Sequence, residues 1–250
     1  MRVDDEVHTA GDTVIATGSE PVVPPVPSLR ELEGVWTNRE ATGVNEVPRR
    51  LLVLGGGAVG LELGQALARM GASVAIVEGA DHLLAREPKA LGDAVAEALR
   101  ADGVEIHLGH HAAHARREGD DYVLELADST ELRGDRLLVA TGRRPRVADG
   151  VWAIGVVTGI WPLTDVGKYQ GRIAAANIIG EPRKADYSAV PRVVFTDPQA
   201  AAVGETEGPL TATVSFAEVP PRTMRLRRRR IRSADRRARA CTWRRSRRRR

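Results

Sequence analysis

One stretch of the chain decides the fold: residues 50–78 read RLLVLGGGAVGLELGQALARMGASVAIVE. Residues 51–54 form an apolar run that is typical of a strand buried on both faces. A glycine-rich turn follows, and then a helical stretch over 58–70, for which Gly71 predicts a left-handed C-terminal cap. Residues 73–77 alternate and are β-branched like a second strand. This stretch therefore predicts a βαβ unit.

The segments that follow extend this unit into a small sheet. A helix over 88–102 precedes a third strand at 104–108, and a last apolar strand lies at 136–140. Residues 122–127 and 131–133, on either side of a turn, predict a hairpin. Because strands alternate with helices, the predicted fold class is α/β, a Rossmann-like, doubly wound NAD(P)-binding domain.

The glycines of the first turn have the spacing G-x-G-x-x-G, and each has a mechanical reason. Gly55 permits the tight turn, Gly57 lets the backbone approach a pyrophosphate, and Gly60 allows close packing of helix on strand. Glu78, at the end of the second strand, can accept hydrogen bonds from an adenosine ribose, and its charge favours NAD(H) over NADP(H). The alternative is a glycine-tolerant turn that binds nothing. Gly64 is interpreted as a packing contact and not as a ligand contact.

A short sequence pattern occurs twice. Residues 14–18 read VIATG and residues 138–142 read LVATG. The second copy closes a nucleotide-binding unit, whereas the few residues before the first copy are too few for a βαβ unit, which needs about 30. We therefore expect that the front of a first domain is missing. Residues 19–48 are rich in proline and predict a linker with one short helix, and residues 169–179 predict another helix.

Composition excludes several classes of protein. The chain has 250 residues, of which 42% are hydrophobic, and a single cysteine, Cys241. One cysteine excludes an internal disulfide, a thiol-pair redox centre and a multi-cysteine metal site. No apolar run approaches the length of a membrane span, and no leader opens the chain, so we expect a soluble, cytoplasmic protein with no membrane partner.

Four histidines, His107, His110, His111 and His114, suggest a metal site at first sight. They surround the end of a strand and a turn, they have no regular helical face, and no cysteine accompanies them. Exposed loop histidines are commoner than imidazole-only metal sites, so no metal ligand is predicted.

Residues 222–250 differ from the rest of the chain. They hold 16 arginines and one acidic residue, a net charge of +15, while the other residues carry −11. Without periodicity or apolar mass this tail is predicted to be disordered. It could bind nucleic acid or an anionic surface. The tail also resembles the product of GC-rich DNA that is translated in the wrong reading frame. We favour this interpretation over that of a nucleic-acid-binding arm.

Several motifs together resemble one known family, the FAD-dependent pyridine nucleotide-disulfide oxidoreductases, and within it dihydrolipoamide dehydrogenase and mercuric reductase-like enzymes. The motifs are GGGAVGLE at 55–62, the two ATG turns, VWAIG at 151–155, and the VVFTDPQ and VG segments within 193–204. The resemblance covers about residues 1–221. Segment 193–204 is similar to the start of the dimer-interface domain of that family.

The resemblance implies a homodimer that binds two dinucleotides, with hydride passing from nicotinamide to FAD and then to a cysteine pair. It implies Glu62 near the nicotinamide, Gly142 near NAD, and in the FAD region Thr17, Gly18, Ser19, Gly155 and Thr164. The regions it implies are a partial FAD-binding domain and linker (1–45), the NAD(P)H-binding domain (46–145), a return segment of the FAD-binding domain (146–185), the start of an α+β interface domain (186–221) and the basic tail (222–250).

This chain departs from the family pattern in four places. The N-terminal FAD glycine loop with its cysteine pair and the C-terminal His-x4-Glu pair are absent, and residues 146–150 replace a longer connection. Val156 stands where the family has an aspartate that bonds the flavin ribityl chain, and valine cannot accept that bond. We therefore expect a truncated or defective copy of an NAD(P)H-dependent flavoprotein oxidoreductase that retains NAD(H) binding, with no catalytic residue assigned and FAD binding in doubt. The alternatives are a non-catalytic NAD(H)-binding module and a nucleic-acid or anionic-surface binder.

Overall fold

The computed structural model describes residues 2–145, 152–204 and 239–242. It contains four α-helices and one 3-10 helix within these ranges: α1 (Asn38–Thr42), α2 (Ala58–Arg69), α3 (Lys89–Ala101), α4 (Thr164–Ile178) and the 3-10 helix Gly155–Thr158. The strands are β1 (Arg2–Val3), β2 (Glu6–Val7), β3 (Val14–Ile15), β4 (Ser19–Pro21), β5 (Arg50–Leu54), β6 (Ser73–Glu78), β7 (Glu105–Leu108), β8 (Ala112–Glu118), β9 (Asp121–Leu126), β10 (Glu131–Gly134), β11 (Arg136–Val139), β12 (Arg143–Pro145), β13 (Trp152–Ala153), β14 (Pro191–Val194), β15 (Ala200–Val203) and β16 (Arg239–Thr242).

The chain divides into two compact units. The first unit joins Met1–Val22 to Gly142–Val190, and the second joins Val23–Thr141 to Pro191–Arg250. The second unit contains the parallel sheet and the glycine loop. No helix among the residues that the structure describes is long and apolar enough to cross a membrane. The cytoplasmic location expected from the sequence stays a prediction.

A four-stranded parallel sheet with the order β11-β5-β6-β7 forms the centre of the second unit. In β5, Leu51 and Val53 belong to the hydrophobic cluster on the side of α2 and α3, while Leu52 and Leu54 belong to the cluster on the other side. All four are buried because the sheet is covered on both faces. This explains why the strand reads as a continuous apolar run and does not alternate.

The two layers that cover this sheet differ. Helices α2 and α3 lie on one face, where Leu61, Leu91 and Val95 pack against the strands. The antiparallel strands β8, β9 and β10 lie on the other face, where Tyr122 and Leu124 are buried. The structure confirms the Rossmann-like α/β fold class, with an antiparallel sheet as the second covering layer.

Most predicted elements of this unit are present. Strands β5, β6, β7 and β11, helices α2 and α3, and the hairpin β9–β10 lie where the sequence predicts them. Gly71 has a φ of +108°, and the Ala72 N–H donates to the Leu67 carbonyl oxygen at 3.0 Å, as expected for a left-handed helix cap.

Strand β8 is an element that the sequence analysis missed. His114 lies within it, so the prediction that this histidine belongs to an exposed loop is wrong. Among its seven residues Ala115 is the buried one, and Arg116 pairs with Glu118 and Glu131. Because its side chains lack an apolar alternation, the usual signal of a strand is absent.

Residues 23–47 are also not the linker that was predicted. Leu29 is 2% exposed and joins the cluster between the two sheets. The Trp36 N–H donates to the Leu137 carbonyl oxygen, and its own carbonyl oxygen accepts from the Val139 N–H, so this segment extends the sheet beside β11. The short helix predicted in this region is α1. Prolines shape the turns of the segment without preventing its valines and leucines from packing.

The first unit has a smaller sheet framework. Strand β3 pairs in parallel with β13, and β4 pairs in an antiparallel way with β12. Helix α4 begins at Thr164, five residues before the helix that the sequence predicts. Its first turn carries Asp165, whose charge suits a helix N-terminus. Apolar periodicity alone, which begins later in this helix, did not reveal that start.

The last described segment is the sheet β14-β15-β16, which belongs to the second unit. Residues 239–242 of the predicted disordered tail form β16, which pairs with β15. A strand edge can be paired through backbone groups alone, so this pairing leaves no trace in side-chain periodicity. The other tail residues, the connection 146–150 and the predicted interface residues 205–221 lie outside the described residues.

Candidate functional site

The glycine loop between β5 and α2 has the geometry that its three glycines predict. Gly55 has a φ of +115°, and a Cβ added there would lie 2.6 Å from the Ala140 carbonyl oxygen. A Cβ at Gly60 would lie 2.2 Å from the Gly55 carbonyl oxygen, so the helix touches the loop backbone. A Cβ at Gly57 would have no atom within 4 Å. The loop is therefore tight at its ends and open at its middle glycine, where a ligand could approach the backbone.

The first turn of α2 offers N–H groups to a ligand. Gly57 is the N-cap residue, and no side chain caps the helix. The first turn holds no acidic residue whose carboxylate could compete with an anion. The leading N–H groups of a helix lack intrahelical acceptors and carry the positive end of its dipole. The arrangement suits a phosphate group.

Glu78 ends β6 at the same edge of the sheet and is half-buried. One of its carboxylate oxygens accepts a hydrogen bond from the Gly56 N–H at 2.6 Å, and the other accepts from the Ala80 N–H at 2.8 Å. A carboxylate has about four acceptor positions, so each oxygen keeps a lone pair for a ribose hydroxyl. The contact with the glycine loop was not foreseen, because spacing in the sequence does not reveal which backbone group a carboxylate meets.

A second carboxylate follows Glu78 at a distance of three residues. Asp81 is exposed, and its Oδ1 lies 2.7 Å from the His82 Nδ1. The hydrogen bond from His82 lowers the pKa of the Asp81 carboxyl below its usual value, and the nearby charge of Lys89 lowers it further. The carboxyl end of β6 therefore carries two carboxylates, those of Glu78 and Asp81.

Glu62, implied to lie near the nicotinamide, is held within the second unit by the chain beyond β14. Its Oε1 accepts a hydrogen bond from the Phe195 N–H at 2.8 Å. One turn later on α2, Gln65 accepts from the Asp197 N–H at 2.8 Å and donates to the Asp197 carbonyl oxygen at 2.9 Å. Arg69 continues this row with an ion pair to the Asp197 carboxylate at 3.2 Å. One polar stripe of α2 thus binds the 195–197 segment, and the proposed contact of Glu62 with nicotinamide stays a prediction.

The residues implied for the flavin lie in the first unit. Strands β3 and β13 are parallel neighbours, so the residues that follow their carboxyl ends, Thr17 and Gly18 on one and Gly155 on the other, meet at one edge. The Ser19 hydroxyl oxygen accepts from the Arg143 Nε at 2.7 Å. Thr164 is exposed as the first residue of α4. Gly142, implied to lie near NAD, also belongs to this unit and accepts from the Val22 N–H at 3.0 Å.

These residues do not complete a flavin site. The Gly155 N–H already donates to the Gln170 Oε1 at 2.6 Å. Position 156, which would face the flavin ribityl chain by family resemblance, is a valine in the adjacent 3-10 helix. Its side chain has no hydrogen-bonding group. The described part of this chain therefore does not fit the flavin contact that the family implies, and no chemical step is derived through that cofactor.

Two of the four histidines lie together, because the His107 and His110 rings meet edge-on with 5.9 Å between their centroids. His107 pairs with Glu105 at 2.8 Å, and His110 lies 3.4 Å from the Asp128 carboxylate. The His111 ring occupies the space beside Gly79, where an added Cβ would lie 2.5 Å from its Cε1. No group of three or more histidine, cysteine or acidic side chains that could hold a metal ion occurs among residues 2–145 and 152–204.

The sequence also matches known proteins. Residues 2–165 match the family described as pyridine nucleotide-disulphide oxidoreductase. The chain belongs to this family. It is 35% identical over 218 residues to the mercuric reductase of Acidithiobacillus ferrooxidans, with 76% of this chain and 39% of that protein covered. It is 32% identical over 242 residues to the dihydrolipoyl dehydrogenase of Bacillus subtilis, with 83% and 51% covered.

Solved structures of similar fold also belong to this class of oxidoreductase. The chain superposes on the HOCl-induced flavoprotein disulfide reductase RclA from Escherichia coli with a TM-score of 0.71 and 30% identity. The match covers 78% of this chain and 51% of that one. The chain spans about half the length, or less, of the relatives that it matches. The family uses FAD and NAD(P), so a dinucleotide partner fits the glycine loop.

Proposed function

We propose that this chain binds NAD(H) at the glycine loop as the dinucleotide-binding part of a pyridine nucleotide-disulfide oxidoreductase. The observation that carries the proposal is the open space at Gly57, directly before the uncapped first turn of α2. A pyrophosphate that enters this space would reach several N–H groups at once. Membership of a family that uses dinucleotides supports this assignment of the site.

The proposal includes a preference for NAD(H) over NADP(H). Glu78 has lone pairs left for the adenosine ribose hydroxyls, which is the usual role of an acidic residue at this strand end. The 2′-phosphate of NADPH would meet the carboxylates of Glu78 and Asp81 at this strand end. The nearby Lys89 ammonium is already paired with the Asp93 carboxylate at 2.9 Å. Like charges at short range disfavour binding.

Because the relatives are oxidoreductases, the proposal includes NAD(P)H-dependent electron transfer by the family. The residues of this chain do not supply all the groups that such a transfer needs. Cys241 is its single cysteine, so a redox cysteine pair is not supplied by this chain. The flavin region has a valine at position 156. We therefore assign nucleotide binding to these residues and no step of electron transfer, which corresponds to an NAD(H)-binding module of the family. Homodimerisation and contact of Gly142 with NAD stay predictions.

Titration of NADH against the full chain, followed by NADH fluorescence, tests the proposal. The parent chain should give a saturable change, and Glu78→Ala should weaken NADH more than NADPH. The matched control for charge is Asp81→Asn, since Asp81→Gly would alter the turn. This control should keep the NADH affinity within about twofold of that of the parent, because it changes one exposed group. Equal losses for the two nucleotides in Glu78→Ala would contradict the preference. Visible flavin absorbance in the purified protein would contradict our reading of the first unit.

A further inference from the structure

Gly56, the residue between the first two motif glycines, is fixed through both of its backbone polar groups. Its N–H donates to the Glu78 carboxylate at 2.6 Å, and its carbonyl oxygen accepts from the Leu84 N–H at 2.9 Å. The space around it is also filled, because an added Cβ would lie 2.8 Å from the Leu83 Cδ2 and 3.0 Å from Glu78 carbons. All these partners come from one segment, the β6 end and the loop that follows it (residues 78–84).

The loop partner of Gly56 has an unusual backbone. Leu84 has a φ of +55°, a left-handed conformation that a branched side chain rarely adopts. Its side chain is 5% exposed within the cluster on the helix side of the sheet. Its carbonyl oxygen accepts from the Glu87 N–H at 2.7 Å. Burial and hydrogen bonds at both sides hold this residue in a costly conformation, which directs its N–H at Gly56.

We propose that residues 78–84 act as a clamp that sets the shape of the glycine loop before any nucleotide binds, with Glu78 as its positioning residue. This inference rests on the proposed function and gives Glu78 a second role besides the ribose contact. A ligand gains affinity when its site is already ordered, because less conformational entropy is lost on binding. The clamp therefore contributes to affinity for any ligand of the loop, including one without an adenosine ribose.

The Ala80 contact strengthens this assignment. The Glu78 carboxylate joins the Gly56 N–H of one loop to the Ala80 N–H of the other, so it bridges the two loops with one group. Two N–H groups that point at one carboxylate lose their acceptor together when it is removed. A glutamine keeps the length and one carbonyl oxygen, but its amide nitrogen cannot accept from an N–H. Glu78→Gln should therefore retain part of the clamp.

Amide hydrogen exchange of the nucleotide-free full chain tests the clamp directly. In Glu78→Ala, the Gly56 and Ala80 amides should exchange at least about tenfold faster than in the parent, while the amides of β5 keep their protection. Glu78→Gln should give an intermediate change, and Asp81→Asn none. Unchanged Gly56 exchange in Glu78→Ala would overturn the proposal. Equally faster exchange throughout β5 and the loop would also overturn it, because that pattern reports global unfolding.

Binding of reduced nicotinamide mononucleotide, which has a phosphate but no adenosine ribose, separates the two roles of Glu78. The clamp predicts that Glu78→Ala weakens this probe several-fold and weakens NADH further. A loss confined to NADH would mean that Glu78 acts on the ribose alone, which overturns the inference but leaves the proposed function intact. If the parent chain binds neither nucleotide, the proposed function fails, while the exchange experiment still decides whether the clamp exists.

Discussion

The two copies of the Ala-Thr-Gly pattern have nearly the same sequence but different surroundings. Residues 138–142 begin in β11, the edge of the four-stranded parallel sheet, and Leu138 is fully buried. Residues 14–18 begin in β3, which pairs with the two-residue strand β13, and Val14 is 43% exposed. The same local pattern therefore belongs to a hydrophobic core in one unit and to a partly exposed pair of short strands in the other.

The difference follows from the neighbours of each copy. The β11 copy is flanked by β5 on one side and by Trp36 on the other, and layers cover both faces of its sheet. It also supports the glycine loop, since an added Cβ at Gly60 would lie 3.4 Å from the Ala140 Cβ. Burial supplies most of the stabilising free energy of such a strand, so the pattern itself contributes little. Five substitutions test this difference.

The largest contrast is expected at the first position of each copy. Leu138→Ala removes a fully buried side chain and should lower the free energy of unfolding by about 2–5 kcal/mol. Val14→Ala removes a side chain that is 43% exposed and should change it by less than about 0.5 kcal/mol. Urea unfolding followed by circular dichroism measures both. Similar losses for the two variants would mean that the copies have equivalent surroundings.

Gly60→Ala tests the loop that the β11 copy supports. The new Cβ would lie 2.2 Å from the Gly55 carbonyl oxygen, so the loop must shift. We expect a loss of about 1–3 kcal/mol in the free energy of unfolding and weaker NADH binding. Thermal unfolding and NADH titration of the same preparation measure the two effects. Parent-like values of both would contradict the close approach of helix and loop.

Asp135, directly before β11, makes this region sensitive to acid. Burial raises the pKa of its carboxyl, but the hydrogen bonds that it accepts from the Arg50 and Arg49 N–H groups lower that pKa by more, so it lies below its usual value. The stabilisation is fully present above the pKa of the unfolded chain, about 3.9, and is lost as the pH falls through the lower folded value.

The variant Asp135→Asn keeps one acceptor oxygen and should cost about 1–2 kcal/mol at neutral pH. Its deficit relative to the parent should shrink as the pH falls below about 4, because the carboxyl of the unfolded parent then takes up a proton, whereas that of the folded parent does so only at lower pH. Urea unfolding across a pH series gives both numbers. A deficit that does not depend on pH would show that the charge of Asp135 is irrelevant to these bonds.

A smaller effect than that of Gly60→Ala, with the opposite sign, is expected at Gly64. An added Cβ would lie 3.5 Å from the Ile76 Cδ1, an ordinary contact distance. Gly64 therefore packs against the strands, as interpreted from the sequence, but with room for a methyl group. Gly64→Ala should stabilise the protein by up to about 1 kcal/mol, because alanine favours helix. Destabilisation in thermal unfolding would mean that the packing at Gly64 leaves no room for a methyl group.

The parallel sheet was predictable because its strands are apolar and its glycines have fixed spacing. Strand β8 was not, since its Arg116 pairs with Glu118 of the same strand and with Glu131 of β10, and its charged side chains leave no apolar pattern. The folding of residues 23–47 onto the core was also hidden, because proline suggests a linker whether or not Leu29 is buried.

Of the candidate site, the geometry at the loop glycines followed from their spacing alone. The bridge from Glu78 to Gly56 and Ala80 did not, because it depends on how the loop after β6 folds back. Leu84 gave no signal either, since nothing in its neighbours in the sequence favours a positive φ. Contacts between loops depend on tertiary packing, which residue spacing does not encode.

Amide nuclear magnetic resonance of the full chain during NADH titration tests directly whether the glycine loop binds the nucleotide. The first signals to shift should belong to the glycine loop and the start of α2, from Gly55 to Leu61, together with Glu78. Signals of residues 14–18 should not belong to this first group, although they share the Ala-Thr-Gly pattern. Saturating NADH without a shift in the glycine loop, in a protein whose β5 signals report a folded sheet, would contradict binding at this loop.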